Sequence, residues 1–305
     1  MLLALRCKGS PLSLGKYYDH MVGRQIDMER DGCPLNSWAG QFGKASFARH
    51  PKGFPVFLPP NDVEKYDEYR AADPYDVDLT VSEFHQRRAA CTLEMMSIAV
   101  NSSKHNPRIL DLGCGRGHIT ARILRRFPHA EISALDSSIS AIEYAADHFS
   151  RIDFAVGNAY DPPYSPGYFD IVVCNNLWEY VPDPLRIPSR IRDIMQVSGY
   201  LILSTPNRYS LENLVRIVRG KPVLLLSPHH VTEYSVGQVI EQLRYGGFDM
   251  IHTFSRPLTQ ERFRATVART LLSGYLQLVK SHHNLEATVF YLARRRLQFD
   301  QLSPS

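Results

Sequence analysis

A regular alternation of apolar strand segments and helical segments, beginning at Arg108, is the feature that most constrains the fold of this chain. The strand segments are apolar without polar alternation, which is typical of strands buried on both faces. We predict strands at 108–112, 131–136, 152–157, 169–174, 199–205, 248–254 and 286–294, helices at 117–127, 138–149, 184–196, 209–218, 235–245 and 258–279, and an amphipathic helix before them at 79–100. Alternating strands and helices form a mostly parallel sheet covered by helices, so the sequence predicts an α/β fold.

The first of these strands ends in a glycine-rich turn, within RILDLGCGRGHIT. Asp111 lies on the strand, and Gly113, Gly115 and Gly117 follow at alternate positions before a helix begins. Glycine is needed where the backbone approaches a ligand closely or takes a positive φ. Asp136 ends the next strand, where a carboxylate can accept both hydroxyls of a ribose. The pattern predicts a nucleotide-like ligand over the strand ends.

The spacing of the glycines separates two classes of cofactor. A dinucleotide fold normally has G-x-G-x-x-G, whereas this chain has G-x-G-x-G preceded by an acid. That arrangement resembles motif I of class I S-adenosylmethionine (SAM) methyltransferases, and the resemblance extends from about Arg108 to Arg294. NNLWEYVPDP and SPHHVTEYSVGQVIEQLRYGGFDMI resemble segments of the small-molecule, type 11-like branch that includes ubiquinone-type O-methyltransferases. A nicotinamide cofactor and a structural turn are the alternatives for the glycine motif.

The resemblance implies a fold, a cofactor and a set of binding residues. The fold is a Rossmann-like seven-stranded sheet, mostly parallel with an antiparallel last strand, with helices on both faces and a small amino-terminal appendage. The cofactor is SAM. Many relatives have Asp where this chain has Asn158, whose carbonyl oxygen can still accept a hydrogen bond from the adenine amino group. The residues assigned to the cofactor are Arg88, Asp111, Gly113, Gly115, Gly117, Asp136, Ser137, Asn158, Ala159 and Asn175.

The reaction predicted is methyl transfer to a small molecule, at a hydroxyl oxygen rather than at nitrogen or carbon. Holding the acceptor in line with the methyl group supplies much of the rate, and a base helps a hydroxyl to lose its proton. The catalytic candidates are His230, His229 and Tyr180, of which Tyr180 stands where the branch usually has His. The alternatives are that His230 shapes its loop and that Tyr180 packs under the cofactor.

The tetrapeptide Asp161-Pro162-Pro163-Tyr164 matches the DPPY signature of methyltransferases that act on amino groups of DNA bases. In those enzymes the tetrapeptide directly follows the fourth strand. Here it precedes the predicted fourth strand at 169–174, and two prolines in succession favour a turn. We therefore predict that DPPY is a loop without a catalytic role.

The amino-terminal segment contains LRCKGSPLS and KGFPVFLPP, which resemble the ends of a zinc-ribbon leader carried by some methyltransferases. Zinc needs four ligands at short paired spacings. Cys7 and Cys33 have no C-x-x-C partner, and His50 cannot complete a set, so we expect no metal. The predicted organisation is a degenerate ribbon-like leader at 1–62 and a methyltransferase domain at 63–305, with cap helices at 63–105 and a substrate-side insertion at 207–234.

Two further functions remain open from the sequence. A similar leader occurs in certain rRNA guanine methyltransferases, so an RNA substrate is an alternative, although a net charge of +4 over 305 residues does not demand an anionic partner. A non-catalytic SAM-binding module is the other. Five scattered cysteines indicate a reducing cytosol, and no signal peptide or bilayer-length apolar run is visible. We expect a cytoplasmic monomer or homodimer without a nucleic-acid partner.

Overall fold

The computed structural model describes residues 3–6, 41–43, 46–67, 83–101, 106–258, 263–281 and 283–297. Cys7 and Cys33 of the predicted ribbon lie outside these residues, so the ribbon interpretation stays a prediction. His50 is buried, and its Nε2 lies 2.9 Å from the Glu143 carboxylate.

The described residues form ten strands and eight α-helices in one sheet-and-helix unit. The strands are β1 (Leu3–Arg6), β2 (Ser46–Arg49), β3 (Pro55–Val56), β4 (Arg108–Leu112), β5 (Glu131–Asp136), β6 (Asp153–Val156), β7 (Phe169–Asn175), β8 (Met195–Pro206), β9 (Phe248–Phe254) and β10 (Thr288–Arg295). The helices are α1 (Pro60–Lys65), α2 (Glu83–Asn101), α3 (His118–Arg126), α4 (Ile139–His148), α5 (Arg186–Ile194), α6 (Leu211–Val218), α7 (Val236–Tyr245) and α8 (Phe263–Leu278).

The sheet has the strand order β1-β2-β3-β6-β5-β4-β7-β8-β10-β9. The strands from β6 to β8 pair in parallel, and β10 runs antiparallel to both β8 and β9. The prediction of a mostly parallel sheet with an antiparallel last strand is therefore confirmed. The predicted count of seven strands is too low, because three short strands from the amino-terminal segment extend the sheet beyond β6.

Both faces of the sheet are buried along its central strands, as their apolar sequences predicted. On β4, Ile109 packs in the core under α2, α3 and α4, whereas its neighbour Leu110 packs in the core under α5 and α7. Trp178, in a 3₁₀ turn after β7, is fully buried in the second core and donates from Nε1 to Gln242 Oε1 at 2.8 Å. A strand that feeds two cores has no polar alternation, which explains the sequence pattern.

The DPPY segment forms a loop between β6 and β7 and binds the amino-terminal segment. Gly43 N donates to Pro163 O at 2.9 Å, and Ser165 N donates to Gln41 O at 2.9 Å. The Tyr164 ring is buried and stacks on Phe42, with ring centroids 5.3 Å apart. The position of the loop before β7 agrees with the prediction, and its aromatic residue has a packing role.

The bounds of two helices differ from the predicted ones or cross a predicted domain boundary. Helix α1 begins at Pro60 and ends at Lys65, so it crosses the predicted boundary between 62 and 63. Helix α8 begins at Phe263 within the described residues, whereas the pattern predicted a start near 258. Among the described helices, none is long and apolar enough to cross a membrane.

Candidate cofactor site and active site

A cavity of about 400 Å³ opens at the carboxyl ends of β4, β5 and β7. Its walls come from the glycine turn after β4, the end of β5, the loop after β6 and the segment after β7. In a parallel sheet, ligands bind where the strand order reverses, outside the carboxyl ends of the strands. The order β5-β4-β7 is such a reversal, because the chain leaves β4 first to one side and later to the other.

The glycine turn requires glycine for its backbone conformation. Gly113, Gly115 and Gly117 have φ values of +79°, +52° and +76°. A Cβ on Gly113 would lie 3.3 Å from the Leu177 side chain, and a Cβ on Gly117 would lie 3.2 Å from the Phe154 ring. The turn therefore combines left-handed backbone with close packing, and residues 113–115 lie directly against the cavity.

Asp136 is fixed at the end of β5 by backbone donors. Its Oδ2 accepts from Gly115 N at 2.7 Å, and its Oδ1 accepts from Ser138 N at 2.9 Å. Each carboxylate oxygen has a second lone pair, so both oxygens can accept a further hydrogen bond from a ligand in the cavity. The glycine turn and the acid, far apart in sequence, thus form one binding surface.

A buried carboxyl group, Asp111, and a partly buried one, Asp136, give the cavity its electrostatic character. Burial raises the pKa of Asp111 to about 6, a Thr120 hydroxyl bond at 2.6 Å opposes this shift, and the nearby Asp136 adds to it. Burial also raises the pKa of Asp136, against the backbone hydrogen bonds that it accepts. A ligand that carries positive charge would favour the ionised forms of both groups, because opposite charge stabilises a carboxylate.

Asn175 presents a donor without a partner at the end of β7. Its Oδ1 accepts from Ser204 Oγ at 2.9 Å, which fixes the orientation of the amide. Its Nδ2 is buried and has no hydrogen-bond partner among the described residues, and Asn175 lines the cavity. A buried donor left unpaired is unfavourable unless a ligand accepts from it.

Asn158 follows β6 and also lines the cavity. Its Oδ1 accepts from Tyr160 N at 2.9 Å, and this hydrogen bond holds the side chain in place. The oxygen that we expected to accept from adenine is therefore already engaged, but a carbonyl oxygen has two lone pairs. Tyr160 in turn accepts from Asp183 N at 2.8 Å, which connects this loop to the segment after β7.

Residues from the amino-terminal side lie over the cavity. Lys65 and Tyr66, at the end of α1, are part of its wall. Asp67 holds them there, because its Oδ1 accepts from Ser138 Oγ at 2.5 Å and its Oδ2 accepts from Ser140 Oγ at 2.7 Å. The clamp attaches α1 to the turn that follows Asp136.

Tyr180 lines the cavity, and a buried acid–histidine group lies behind it. The His230 ring meets the Tyr180 ring edge to face, with centroids 5.2 Å apart. His230 Nδ1 lies 2.7 Å from Glu233 Oε1, and Glu233 is almost fully buried. The backbone oxygen of Glu179 accepts from Val231 N at 2.8 Å, which joins the His230 segment to the turn that carries Tyr180.

Most of the residues proposed from the sequence meet at this cavity. The candidates that line it are Arg88, Asp111, Gly113, Gly115, Asp136, Ser137, Asn158, Ala159, Asn175 and Tyr180. Gly117 does not line it and instead begins α3 against Ala145 and Phe154. His229 is exposed to solvent, and His230 lies behind Tyr180 rather than in the wall.

Sequence reasoning missed several residues of the wall. Cys114 and Arg116 occupy the variable positions of the glycine motif, so the motif itself could have identified them. Lys65, Tyr66 and His85 belong to the amino-terminal elements, and no local pattern marks them as cavity residues.

Comparisons with known proteins identify the family. A family model described as "Methyltransferase domain" matches residues 103–260, just over half of the chain. The chain belongs to this methyltransferase family. The family confirms the prediction of a class I SAM-dependent methyltransferase, with SAM as its cofactor.

Curated relatives of this methyltransferase include O-methyltransferases. It is 28% identical over 159 residues to a ubiquinone biosynthesis O-methyltransferase of Thiobacillus denitrificans, covering 50% of this chain and 68% of the relative. A Xanthomonas campestris enzyme of the same name is 29% identical over 145 residues, covering 45% of this chain and 60% of the relative. A malonyl-[acyl-carrier protein] O-methyltransferase of Paenibacillus is 27% identical over 208 residues, covering 64% and 73%.

Solved structures agree on the fold. The [4+2]-cyclase SpnF superposes with a TM-score of 0.52 at 20% identity, covering 73% of this chain and 86% of that protein. A Galdieria sulphuraria protein described as a sarcosine dimethylglycine methyltransferase gives a TM-score of 0.50 at 14% identity, covering 70% and 88%. At these identities the likeness concerns the fold alone.

The residues of the cavity fit SAM. Asp111 and Asp136 provide negative charge for a cofactor that carries a sulfonium and an ammonium group, and Asn175 Nδ2 is a buried donor that needs an acceptor. The glycine turn leaves space where any side chain would meet Leu177. Asp136 retains acceptor capacity for ribose hydroxyls.

Proposed function

We propose that this methyltransferase transfers the methyl group of SAM to an oxygen atom of a small-molecule acceptor. The observation that carries the proposal is the single cavity wall that joins the glycine turn and Asp136 to Tyr180. The relatives support an oxygen acceptor, because both named types are O-methyltransferases. They also favour a small molecule over RNA. SAM, when bound, supplies an electrophilic methyl group that an acceptor oxygen attacks in line with the departing sulfur.

We assign the cofactor to the residues that line the cavity below Tyr180. Asp136 would bind the ribose hydroxyls, and Asn158 would lie near the adenine. Asn175 would donate from Nδ2 to an acceptor atom of the bound cofactor. Gly113 and Gly115 would let the backbone approach the cofactor closely. Arg88 would face its carboxylate, since it is a mostly buried cation in the same wall.

At the acceptor end we propose that Tyr180 touches the substrate and that His230 positions Tyr180. The ring of His230 packs edge to face on the ring of Tyr180, and the bond from Nδ1 to Glu233 fixes the imidazole. His229 has no role in this scheme, because it is exposed.

The first experiment tests cofactor binding. We expect calorimetry to detect binding of SAM and S-adenosylhomocysteine to the wild-type protein, and to lose it in Asp111→Ala and Gly115→Arg. Asp161→Ala, in the DPPY loop, is the matched control and should bind normally. Absence of binding to the folded wild-type protein would refute the proposal.

The second experiment tests the acceptor. Radiolabelled SAM would be incubated with phenols, carboxylic acids, amines and total RNA, and we expect label on an oxygen acceptor. Label that appears only on RNA, with salt-sensitive binding of steep slope, would reject the small-molecule assignment. With an active acceptor, Tyr180→Phe and His230→Asn separate the two roles. We expect His230→Asn to change KM and kcat together, because loss of the His230 ring displaces Tyr180. The pH profile of kcat should keep the same shape as in the wild-type protein.

The remaining assignments concern the whole protein. We propose a cytoplasmic enzyme, because Cys91, Cys114 and Cys174 are free thiols in the described residues. We keep the division into a leader at 1–62 and a methyltransferase domain at 63–305 as a proposal, with the reservation that α1 crosses it. Light scattering would distinguish a monomer from a homodimer, and zinc analysis of the purified protein would test the metal-free leader.

A further inference from the structure

Helix α8 exposes an apolar stripe to solvent. Leu271, Tyr275 and Leu278 are 71%, 61% and 81% exposed. Their spacing of four and three residues places them on one face of the helix. An amphipathic helix normally turns such a stripe toward the core, whereas here the stripe faces solvent.

The inner side of α8 is held by polar contacts. Arg269 donates from Nη1 to Leu285 O at 2.7 Å, and the same nitrogen lies 3.0 Å from Glu286 Oε2. At about 100° per residue, Leu278 points about 180° away from Arg269. Because the arginine faces the protein, the apolar stripe must face outward. The exposure of Leu271, Tyr275 and Leu278 therefore follows from the contacts of Arg269 with Leu285 and Glu286.

Helix α6 and the loop after it extend the exposed apolar surface. Leu211 N donates to Leu285 O, the same carbonyl group that accepts from Arg269, so α6 and α8 flank one segment of chain. We call the two helices and this loop the outer face. Its other large exposed apolar side chains are Val215, Ile217, Val218, Leu224, Leu225, Leu226, Val267, Leu272 and Val279.

The exposed charges of the outer face are mostly basic. Among its described side chains, the exposed cations are Arg219, Lys221 and Lys280, and the exposed acid is Glu212. The whole chain, in contrast, has 35 basic and 31 acidic residues. Two copies of this face would oppose like charges, which disfavours self-association.

We propose that the outer face docks on the surface of a lipid bilayer that contains anionic lipid. Apolar side chains of α6 and α8 enter the boundary between headgroups and acyl chains, and the surrounding Lys and Arg contact anionic headgroups. Basic residues with exposed leucines are the complement of such a surface, and a patch of this extent marks an interaction site. The helices lie on the bilayer in this arrangement.

The outer face also adjoins the cavity. Val231 is 56% exposed, and its backbone nitrogen donates to Glu179, the residue before Tyr180 in the cavity wall. Docking therefore places the acceptor end of the cavity near the bilayer. The docking itself does not depend on the proposed methyl transfer and can be measured without an acceptor.

The test is sedimentation of the full chain with vesicles. We expect binding to phosphatidylcholine vesicles that contain phosphatidylglycerol, weakened by high salt and by omission of the anionic lipid. Leu271→Asp combined with Leu278→Asp should lower the partition coefficient by about a hundredfold or more, because two leucines no longer enter the bilayer and two acidic groups oppose the anionic headgroups. Leu297→Asp is the matched control, since Leu297 is 75% exposed but follows β10, at the opposite end of that strand from the segment that α6 and α8 flank.

Circular dichroism and binding of S-adenosylhomocysteine would verify that each variant is folded. Loss of binding in the double variant with retention in Leu297→Asp supports the proposal. Failure of the wild-type protein to bind either vesicle overturns it, as does equal binding by the double variant. A wild-type dimer that the double variant converts to monomer would identify a second copy as the occupant, and so would also overturn it.

Discussion

Substitution of Gly117 by alanine tests whether the glycine motif is required for packing as well as for cofactor approach. Gly117 begins α3 with φ of +76° and does not line the cavity. An alanine in the left-handed region is unfavourable by about 1–2 kcal/mol. Its Cβ would also lie 3.2 Å from Ala145 Cβ and from two atoms of the Phe154 ring.

Both neighbours belong to the core on the α4 side of the sheet, so they cannot move away easily. Overpacking of a filled core is unfavourable by about 1–3 kcal/mol. We therefore expect Gly117→Ala to lower the free energy of unfolding by about 2–5 kcal/mol.

Gly220 provides a matched control. Its φ is +65°, and a Cβ there would meet nothing within 4 Å. Gly220→Ala should lower the free energy of unfolding only by the backbone contribution, about 1–2 kcal/mol. Both substitutions reduce the freedom of the unfolded chain equally, so this effect cancels in the difference.

Urea denaturation followed by circular dichroism measures both variants, with unchanged m-values as the condition for comparison. We expect Gly117→Ala to be less stable than Gly220→Ala by about 1–3 kcal/mol. Equal losses in the two variants would refute the packing argument and leave only the backbone conformation as the reason for Gly117.

Four further substitutions test the site and the DPPY loop. Asp136→Asn removes a charged acceptor, and because hydrogen bonds to charged groups contribute about 1.5–3 kcal/mol, calorimetry should give a Kd for SAM roughly tenfold to a hundredfold higher. An unchanged Kd would exclude Asp136 from the site. The raised pKa of Asp111, about 6, means that the folded state binds this proton more tightly than the unfolded state. Its stabilisation is complete below about pH 4 and is lost as the pH rises through about 6. Between about pH 4 and pH 6 the free energy of unfolding should therefore fall less in Asp111→Asn than in the wild-type protein, by about 1–3 kcal/mol in urea titrations. Parallel pH profiles of the two proteins would contradict this. In the loop, Tyr164→Ala should lower the free energy of unfolding by about 3 kcal/mol, because it empties a buried aromatic site. Asp161→Ala should change it by less than about 0.5 kcal/mol, and loss of methyl transfer in the latter would show that DPPY is catalytic after all.

The sheet was predictable because its strands are buried on both faces. In FDIVVC every residue except Asp170 is apolar, and a run of this kind indicates burial on both faces whichever strands pair with it. Most of the cavity wall was predictable for a related reason. The glycines, Asp111 and Asp136 lie at the ends of strands, and parallel strands bring their carboxyl ends to the same edge.

The sequence predicts a short apolar strand within HPKGFPVFLPPND, but the pairing of the amino-terminal strands with the sheet was not predictable from their own pattern. β3 has two residues, and its place in the sheet depends on the free edge of β6, far away in sequence. The role of Tyr164 depends in turn on Phe42, which reaches it only once the amino-terminal segment has docked.

What the sequence by itself determined is the alternation of buried strands and helices, the glycine turn and the acid after the next strand. These features depend on short stretches of sequence. A strand buried on both faces requires apolar residues, and a left-handed backbone favours glycine. Tertiary structure alone decided that Tyr180 stands between His230 and the cavity, and that α8 turns its apolar stripe outward. A periodic pattern reports that one face of a helix is apolar, but only a specific contact, here Arg269 with Leu285 and Glu286, determines where that face points.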